Sequence, residues 1–324
     1  MRGDSLKNLP DLWKETYDLV AQVPRGKVTT YGEVAKALGD IVASRFVGLA
    51  MSRNDDIVRI PCRRVVQSDG GIGGYTGGGP RRKIRLLREE GVRVNGGKIV
   101  DLDDVMFSEF RTWYPLRDLR SRQRGLKRHL SIDTTDRPIT SVAGVDLAYN
   151  GDIAYSAMVV FDYESGEEIG RKICSQRVKF PYVPTYLAFR ELPALRPLMK
   201  SVDPDTVVMY DGNGILHPEG FGIASQLGVV FGLRSIGVAK KLLCGELAQR
   251  SKDGATSVKV SGKVAGHAIA NPGAKKPVFV SVGHGLSPQQ AYSITKRFMS
   301  HRVPEPTRQA HIAAESARRT RSQK

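Results

Sequence analysis

Apolar residues follow two different spacings along the chain, and the changes of spacing separate predicted strands from predicted helices. Runs rich in β-branched residues indicate strands, and apolar residues three or four positions apart indicate helices. After residue 140 the predicted order is strand 141–149, strand 153–161, strand 169–178, helix 184–200, strand 206–210, helix 220–231, a short strand and helix in 235–248, further strands including 277–282, and helix 287–300. This order predicts an α/β fold with a mixed sheet flanked by helices.

The first 105 residues follow a different, mainly helical pattern. Thr30-Tyr-Gly-Glu33 has the spacing of a capping box, and the helix that it begins ends at Gly39. A second short helix is predicted over 44–52, with Arg45 near its start. Two short helices at this spacing predict a helix-turn-helix, a motif that places its second helix against DNA.

Charge and length agree with a two-domain protein that binds nucleic acid. The chain has 324 residues and a net charge of +17, and domains commonly hold about 150 residues. The net charge is +4 over 1–107 and +13 over 108–324. We place the domain boundary between 105 and 106, giving domains 1–105 and 106–324. Residues 111–128 hold seven basic side chains and one acidic one, which indicates a solvated helix face, a contact with the DNA backbone, or both.

The sequence argues against a membrane or disulfide-bonded protein. It has no apolar run of about 20 residues and no signal-peptide pattern at its start. Cys62, Cys174 and Cys244 are widely spaced and odd in number, so we expect neither a disulfide framework nor a zinc site. We therefore expect a cytoplasmic protein with no membrane partner. We also expect Arg318–Lys324 to be a frayed basic tail.

Two aspartates stand where predicted strands can bring carboxylates together. Asp146 follows the apolar run that starts at Ser141, and Asp211 ends the run that starts at Thr206. Paired carboxylates suit a hard cation such as Mg²⁺, with Mn²⁺ as an alternative, and such a cation supports phosphodiester cleavage. Taken alone, an aspartate before a glycine, as at Asp211, is more often part of a turn.

Eight blocks in one order resemble endonuclease V, the nuclease family that nicks nucleic acid beside deaminated adenine. The blocks are Val142-Ala-Gly-Val-Asp146-Leu-Ala-Tyr149, Phe180-Pro-Tyr-Val-Pro184, Leu187-Ala-Phe-Arg-Glu191, Asp211-Gly-Asn-Gly-Ile-Leu-His217-Pro218, Phe221-Gly-Ile-Ala-Ser225, Ile236-Gly-Val-Ala-Lys240, Val280-Ser-Val-Gly-His284 and Pro304-Glu-Pro-Thr-Arg308-Gln-Ala-His311. The resemblance implies a ribonuclease H-like fold in which Asp146 and Asp211 lie on neighbouring strands, and a nick on the 3′ side of deoxyinosine.

The resemblance and the chemistry of the residues together suggest roles. Asp146 and Asp211 would bind the metal and Glu191 would complete its shell. His284 would orient or deprotonate the attacking water, although a lone histidine is more often only hydrogen-bonded. Lys240 would contact the scissile phosphate, and His217 would contact the pocket or the phosphate. Tyr182, in the rigid segment Pro181-Tyr-Val183-Pro184, would act as a wedge in the base stack. The backbone of Gly212, Gly214 and Gly237 would surround hypoxanthine.

Five positions depart from the residues that many relatives have. A carboxylate at Glu219, where many relatives have arginine, would repel phosphate, so it bears on substrate affinity and on the choice between DNA and RNA. The other four are Asn213 in place of Gln, Gln226 in place of His, Thr185 in place of Gly, and Arg234 in place of Pro.

The first domain resembles the DNA-binding domain of O6-alkylguanine-DNA alkyltransferases. The resemblance runs through Ile60-Pro-Cys62-Arg-Arg-Val-Val66, the glycine-rich 70–79, and Lys83–Gly91. These enzymes flip a damaged guanine out of the duplex, because its reacting atom is unreachable inside the stack. The resemblance implies that Cys62 accepts the alkyl group, with Tyr31 displacing the base, Arg45 filling the stack, Asn54 bracing the site, and Tyr75 and Glu90 supporting the pocket.

One departure affects the chemistry of this domain. Arg63 stands where the family has a histidine that relays the cysteine's proton. Arginine stays protonated and cannot act as that base, although positive charge beside Cys62 would favour the thiolate. Three hypotheses follow: a bifunctional repair enzyme, a nuclease whose first domain only recognises lesions, and a non-catalytic nucleic-acid binder. The expected partner is single- or double-stranded DNA with deaminated or alkylated bases, and inosine-containing RNA is the alternative.

Overall fold

The computed structural model describes residues 5–132, 137–250, 255–270 and 276–322, and these form two compact units. The first, which we call the N-terminal unit, comprises Asn8–Ser121 and Lys179–Leu187. The second, the sheet unit, comprises Met1–Lys7, Arg122–Val178 and Ala188–Lys324. A short segment from the middle of the chain, Lys179–Leu187, therefore packs with Asn8–Ser121. The domain limits taken from the sequence stay a prediction.

Short helices and two-residue strands form the N-terminal unit. They are α1 Leu12–Ala21, β1 Thr29–Thr30, α2 Tyr31–Leu38, α3 Ser44–Ser52, β2 Val65–Val66, α4 Gly79–Glu89, β3 Val94–Asn95, β4 Lys98–Ile99, α5 Leu102–Val105 and the first part of α6 Pro115–Lys127. The Thr30 hydroxyl accepts from the Glu33 amide at 3.1 Å, and Gly39 ends α2 with a φ of 113°. The predicted pair of helices is confirmed.

The sheet unit contains the end of α6 and the rest of the regular structure. Its elements are β5 Ser141–Asn150, β6 Ile153–Asp162, β7 Glu168–Arg177, α7 Leu187–Met199, β8 Thr206–Asp211, α8 Ile223–Phe231, β9 Arg234–Ala239, β10 Glu246–Arg250, β11 Thr256–Val260, β12 Lys263–Ile269, β13 Val278–His284, α9 Pro288–Arg297 and α10 Glu305–Ser322. The nine strands lie in the order β10-β11-β12-β13-β9-β8-β5-β6-β7. Only the β5–β8 and β8–β9 pairs are parallel, so the predicted mixed α/β sheet is confirmed.

Helices cover both faces of this sheet, because side chains alternate between the two faces along each strand. Val142 in β5 and Met209 in β8 belong to the main core with residues of α9 and α10. On the other face, the Ser156 hydroxyl of β6 donates to the Ala194 carbonyl of α7 at 3.1 Å. No helix in the described part of the chain is both long enough and apolar enough to cross a membrane. The cytoplasmic location stays a prediction.

Two sequence predictions were wrong. The helix expected within 235–248 is absent from those residues, which instead hold β9 and the start of a β10–β12 meander. Ser261 and Gly262 have φ of 50° and 78°, which suits the tight two-residue turn between Val260 and Lys263. The basic end of the chain is helical as far as Ser322, within α10, and residues 323–324 lie outside the described ranges.

A close approach between β5 and α10 depends on one glycine. A Cβ built on Gly144 would lie 1.9 Å from the Pro306 carbonyl oxygen. No side chain fits at that distance, so the absence of a side chain at Gly144 lets the start of α10 lie directly on β5.

Gly144→Ala is therefore expected to destabilise the sheet unit by at least about 2 kcal/mol, since backbone must move to admit the methyl group. Gly170→Ala is the matched control, because a Cβ on Gly170 in β7 would meet nothing within 4 Å, and its effect should stay within about 0.5 kcal/mol. Urea unfolding of both variants measures the difference. Equal midpoints for the two would contradict this account of α10 packing.

Candidate active site and lesion-binding cavity

Two carboxylates meet on neighbouring parallel strands. Val145 of β5 pairs with Tyr210 of β8, and Asp146 and Asp211 are the next residues of the two strands. Neighbouring strands lie about 4.8 Å apart. By the alternation of side chains, both aspartates share the face occupied by Val142 and Met209. The strand register thus places two negative charges side by side.

Helix α10 brings a histidine to Asp146. The His311 Nδ1 lies 2.7 Å from the Asp146 Oδ2. Burial raises the pKa of Asp146, the hydrogen bond with His311 opposes that rise, and the charge of Asp211 adds to it. His311 was not among the residues assigned a role from the sequence, although it ends the block that starts at Pro304. The block therefore contained His311, but a local motif does not show which strand α10 crosses.

Glu191 joins the carboxylates from α7. The Tyr210 hydroxyl donates to the Glu191 carboxylate. Burial raises the pKa of Glu191 to about 7, the bond from Tyr210 lowers it, and the charge of Asp146 raises it further. The raised pKa values of Asp146 and Glu191 indicate a site that favours a cation or protons.

Lys240 lies directly beyond β9 and pairs with the neighbouring strand. Its Nζ lies 2.5 Å from the Asp211 Oδ2, and half of its side chain is exposed. An ammonium group in this place neutralises part of the charge of the carboxylates. It is also accessible to a phosphate in solution.

The donor set matches a hard cation in kind, since Asp146, Asp211 and Glu191 offer only oxygen. Among the described residues, no group of three or more His, Cys, Asp or Glu side chains is arranged to hold a metal ion. Magnesium commonly uses only one or two carboxylates, with water and substrate phosphates as its other ligands. The adjacent pair Asp146 and Asp211 fits that mode.

His284 lies at a different level of the sheet from the carboxylates. It pairs with Ser235 of β9, and Ser235 pairs with Val208, which precedes Asp211 by three residues. Three residues along a strand cover about 10 Å. The His284 Nδ1 accepts from the Ser131 amide at 3.1 Å. The structure thus does not place His284 with Asp211 in the register, and its catalytic role stays a prediction.

The glycines predicted to line a hypoxanthine pocket pack against neighbouring backbone. A Cβ on Gly237 would lie 2.3 Å from the Gly214 nitrogen and 2.6 Å from the Gly212 oxygen. The close approach that these glycines permit is therefore between strand β9 and the turn after β8. The His217 Nδ1 accepts from the Glu219 amide at 3.2 Å, so it fixes the same turn. The base pocket stays a prediction.

Lys127 supplies positive charge at the turn where Glu219 departs from many relatives. Its Nζ donates to the Glu219 carbonyl at 2.6 Å. The ammonium group at the end of α6 is thus attached to the backbone of this turn.

The N-terminal unit contains a cavity at Cys62. It has a volume of about 290 Å³ and is lined by Tyr31, Gly48, Met51, Ser52, Cys62, Gly74, Tyr75 and Thr76. Three of the residues expected there from the sequence, Tyr31, Cys62 and Tyr75, are thus brought together. Arg45 is exposed at the start of α3. The Asn54 Nδ2 donates to the Ile60 carbonyl at 3.0 Å, which fixes the turn leading to Cys62.

Both arginines after Cys62 bond to Glu90. The Arg63 Nε and the Arg64 Nε donate to its two oxygens, each at 2.7 Å. Burial alone would raise the pKa of Glu90, but the bonds from Arg64 and Arg63 outweigh it and hold that pKa below its usual range. A charged Glu90 is thus paired with two guanidinium groups, neither of which can take a proton from Cys62.

Lys83 is a further residue of this site that the sequence did not single out. Its fully buried side chain donates to the Val65 carbonyl at 2.6 Å and to the Gly74 carbonyl at 3.3 Å. Burial lowers the pKa of Lys83 to about 8. The lysine ties β2 to the glycine-rich wall of the cavity beside Tyr75.

Two family profiles match the chain. The profile described as Endonuclease V matches residues 124–312, and the one described as 6-O-methylguanine DNA methyltransferase, DNA binding domain, matches residues 11–92. The matches cover the carboxylate site and the Cys62 cavity respectively.

Similar proteins combine the same two parts. The bifunctional methyltransferase/endonuclease of Thermoplasma volcanium is 41% identical over 265 residues, which is 81% of this chain and 80% of that protein. The protein of the same name from Picrophilus torridus is 41% identical over 237 residues, 73% of this chain and 77% of its own length. The crystal structure of Ciona intestinalis endonuclease V with a 24mer DNA containing an inosine followed by a ribo-adenosine has a TM-score of 0.56 and 28% identity, covering 63% of this chain and 98% of that one.

Proposed function

We propose, since the chain belongs to the endonuclease V family of DNA repair nucleases, that it nicks DNA in a Mg²⁺-dependent reaction on the 3′ side of deoxyinosine. The observation that carries the proposal is the side-by-side placement of Asp146 and Asp211 by the β5–β8 register. His311 and Lys240 contact the two carboxylates. The inosine-containing DNA bound by the Ciona relative supports the choice of lesion.

Asp146 and Asp211 would hold the Mg²⁺ ion, or Mn²⁺ as the alternative, with Glu191 nearby. When bound, the ion would supply an activated water and neutralise charge on the phosphate. Lys240 is placed to pair with the scissile phosphate beside Asp211. His311 is placed to hold or move a proton at the oxygen of Asp146 or at a neighbouring water.

The exposure of Tyr182 supports a role for this residue in recognising a damaged base. It is 62% exposed, and it stands between Pro181 and the Val183–Pro184 pair, while Val183 is fully buried. An exposed aromatic side chain on an anchored loop is suited to wedge between stacked bases. We propose that Tyr182 fills the space left by the expelled hypoxanthine.

The nuclease is tested with a labelled duplex that contains one deoxyinosine, beside an undamaged duplex. We expect nicking only with the lesion and only with Mg²⁺ or Mn²⁺, and its loss on addition of EDTA. Asp211→Asn should lower the nicking rate by at least about 10³-fold while binding is retained, since it removes a charge that acts on the bound metal. Undiminished nicking by Asp211→Asn would refute the site. An inosine-containing RNA cut faster than the DNA would favour the ribonuclease alternative.

The two histidines give a second test, because His311 lies 2.7 Å from the Asp146 carboxylate whereas His284 accepts from the Ser131 amide. His311→Ala should lower the single-turnover nicking rate about 10²-fold, the ordinary contribution of a positioned proton-transfer group. His284→Ala is the matched control and should change that rate less than about threefold, provided that circular dichroism shows both variants folded. A large loss with His284→Ala and none with His311→Ala would reverse the assignment.

For the N-terminal unit we propose recognition of O6-alkylguanine with slow alkyl transfer to Cys62. The cavity at Cys62 supports binding of the lesion, and the bonds of Arg63 and Arg64 to Glu90 support slow chemistry, because they leave Cys62 without a histidine base. Transfer would form the sulfur–carbon bond and break the bond between that carbon and the guanine O6. The proton that the Cys62 thiol loses balances the proton that the released guanine gains.

Methylation of Cys62 by DNA with O6-methylguanine, followed by mass spectrometry, measures the transfer. Arg63→His should raise the transfer rate at least about tenfold by restoring an acid–base group, and Arg64 would still pair with Glu90. Cys62→Ser is the control without an acceptor. If the natural chain transfers methyl as fast as Arg63→His does, the proposal of slow transfer is wrong and the chain is an efficient alkyltransferase.

A further inference from the structure

The Tyr182 loop is structurally part of the N-terminal unit. Lys179–Leu187 connects β7 to α7 along the chain, yet it forms one compact unit with Asn8–Ser121. The Trp13 Nε1 donates to the Lys179 carbonyl at 3.3 Å. Phe180 and Tyr186 are buried on either side of the exposed Tyr182. The loop is thus held at both ends while its aromatic tip is free to contact DNA.

A polar cluster of three side chains anchors the second end of the loop. The Tyr186 hydroxyl and the Arg120 Nη2 both donate to the Asp40 Oδ2, each at 2.8 Å. The Arg120 guanidinium lies over the Tyr186 ring, 4.8 Å from its centroid. Burial alone would raise the pKa of Asp40, but the bonds from Arg120 and Tyr186 keep it below its usual range. Asp40 therefore stays charged and binds both donors.

The turn before Tyr186 contains a strained residue that Arg120 contacts. The Tyr186 amide donates to the Val183 carbonyl at 3.1 Å, and Pro184 and Thr185 are the central residues of this turn. Thr185 has a φ of 67°, which is costly for a β-branched residue. The Thr185 Oγ1 accepts from Arg120 at 3.1 Å. The same guanidinium that binds Asp40 thus stabilises the strained residue.

Asp40 links this cluster to the lesion-binding helices. It lies in the turn between α2 and α3, directly after Gly39, and its Oδ1 accepts from the Val42 amide at 3.2 Å. Helix α2 begins at Tyr31, which lines the Cys62 cavity, and α3 carries Arg45 near its start. The carboxylate that fixes the helix-turn-helix also fixes the loop that carries Tyr182.

We infer that Asp40, Arg120 and Tyr186 are positioning residues for the nuclease reaction: they hold Tyr182 in place for insertion into damaged DNA. The alkyltransferase-like unit then contributes to inosine recognition through this loop, in addition to binding its own lesion. The inference rests on the proposed role of Tyr182 in the nicking reaction. The helix-turn-helix would then have a second role in DNA binding, which is to hold the Tyr182 loop.

Tyr186→Phe in the full-length protein tests the inference, since it removes one hydroxyl and leaves the buried ring. We expect the KM for nicking the deoxyinosine duplex to rise about tenfold, the cost of losing one hydrogen bond to a charged group, with kcat within about twofold. Tyr17→Phe is the matched control: its hydroxyl donates to the Ala50 carbonyl at 3.2 Å in the same unit. Its KM should change less than about twofold.

A double-mutant cycle with Tyr182→Ala separates positioning from general destabilisation. Tyr182→Ala alone should raise KM, and Tyr186→Phe should then add less than about twofold, because the anchored group is absent. If Tyr182→Ala raises KM and Tyr186→Phe does not, the inference is overturned and the proposed function stands. If Tyr186→Phe raises KM by the same factor with and without Tyr182→Ala, the cluster has only a structural role. The same conclusion follows if Tyr186→Phe raises KM no more than Tyr17→Phe does. If Tyr182→Ala leaves KM unchanged, the proposed role of Tyr182 fails as well.

Discussion

The repulsion between two carboxylates on adjacent parallel strands is the constraint on which the active site depends. The register of β5 against β8 makes Asp146 and Asp211 neighbours on one face. Neither charge can be moved away without breaking the centre of the sheet. Positive and hydrogen-bonding groups therefore collect around them, with Lys240 on Asp211 and His311 on Asp146. In the proposed reaction, a bound cation and the substrate phosphate would complete the same balance of charge.

Backbone packing decides which groups reach these carboxylates. Because Gly144 lacks a side chain, Pro306 at the start of α10 approaches β5 and His311 extends to Asp146. Gly237 in the same way lets β9 lie against the turn after β8. The glycines in these blocks are needed for contacts between elements rather than for flexible turns.

The Tyr182 loop and the helix-turn-helix belong to one compact unit although they lie far apart in the sequence. The helix-turn-helix and the Tyr182 loop share one partly buried carboxylate, Asp40, and one guanidinium, that of Arg120. Next to Cys62 in the same unit, Arg63 and Arg64 bind Glu90, and Arg63 stands where the resemblance leads one to expect a histidine. These contacts are the basis for proposing that the alkyltransferase-like unit binds its lesion and reacts with it slowly.

The sequence alone determined the α/β class, most strands of the sheet, the helix pair at α2 and α3, and the family resemblance, because these depend on local periodicity and on contiguous motifs. It also identified Asp146 and Asp211, since each ends or follows an apolar run. It wrongly predicted a helix within 235–248 and a frayed tail at the end of α10, where propensity is weak and tertiary packing decides. Only the tertiary structure showed that His311 rather than His284 meets Asp146, and that the Tyr182 loop belongs with residues 8–121. The β5–β8 register joins residues 65 positions apart, and the contacts of His311 and Tyr186 join residues more than a hundred apart. No local pattern in the sequence encodes those contacts.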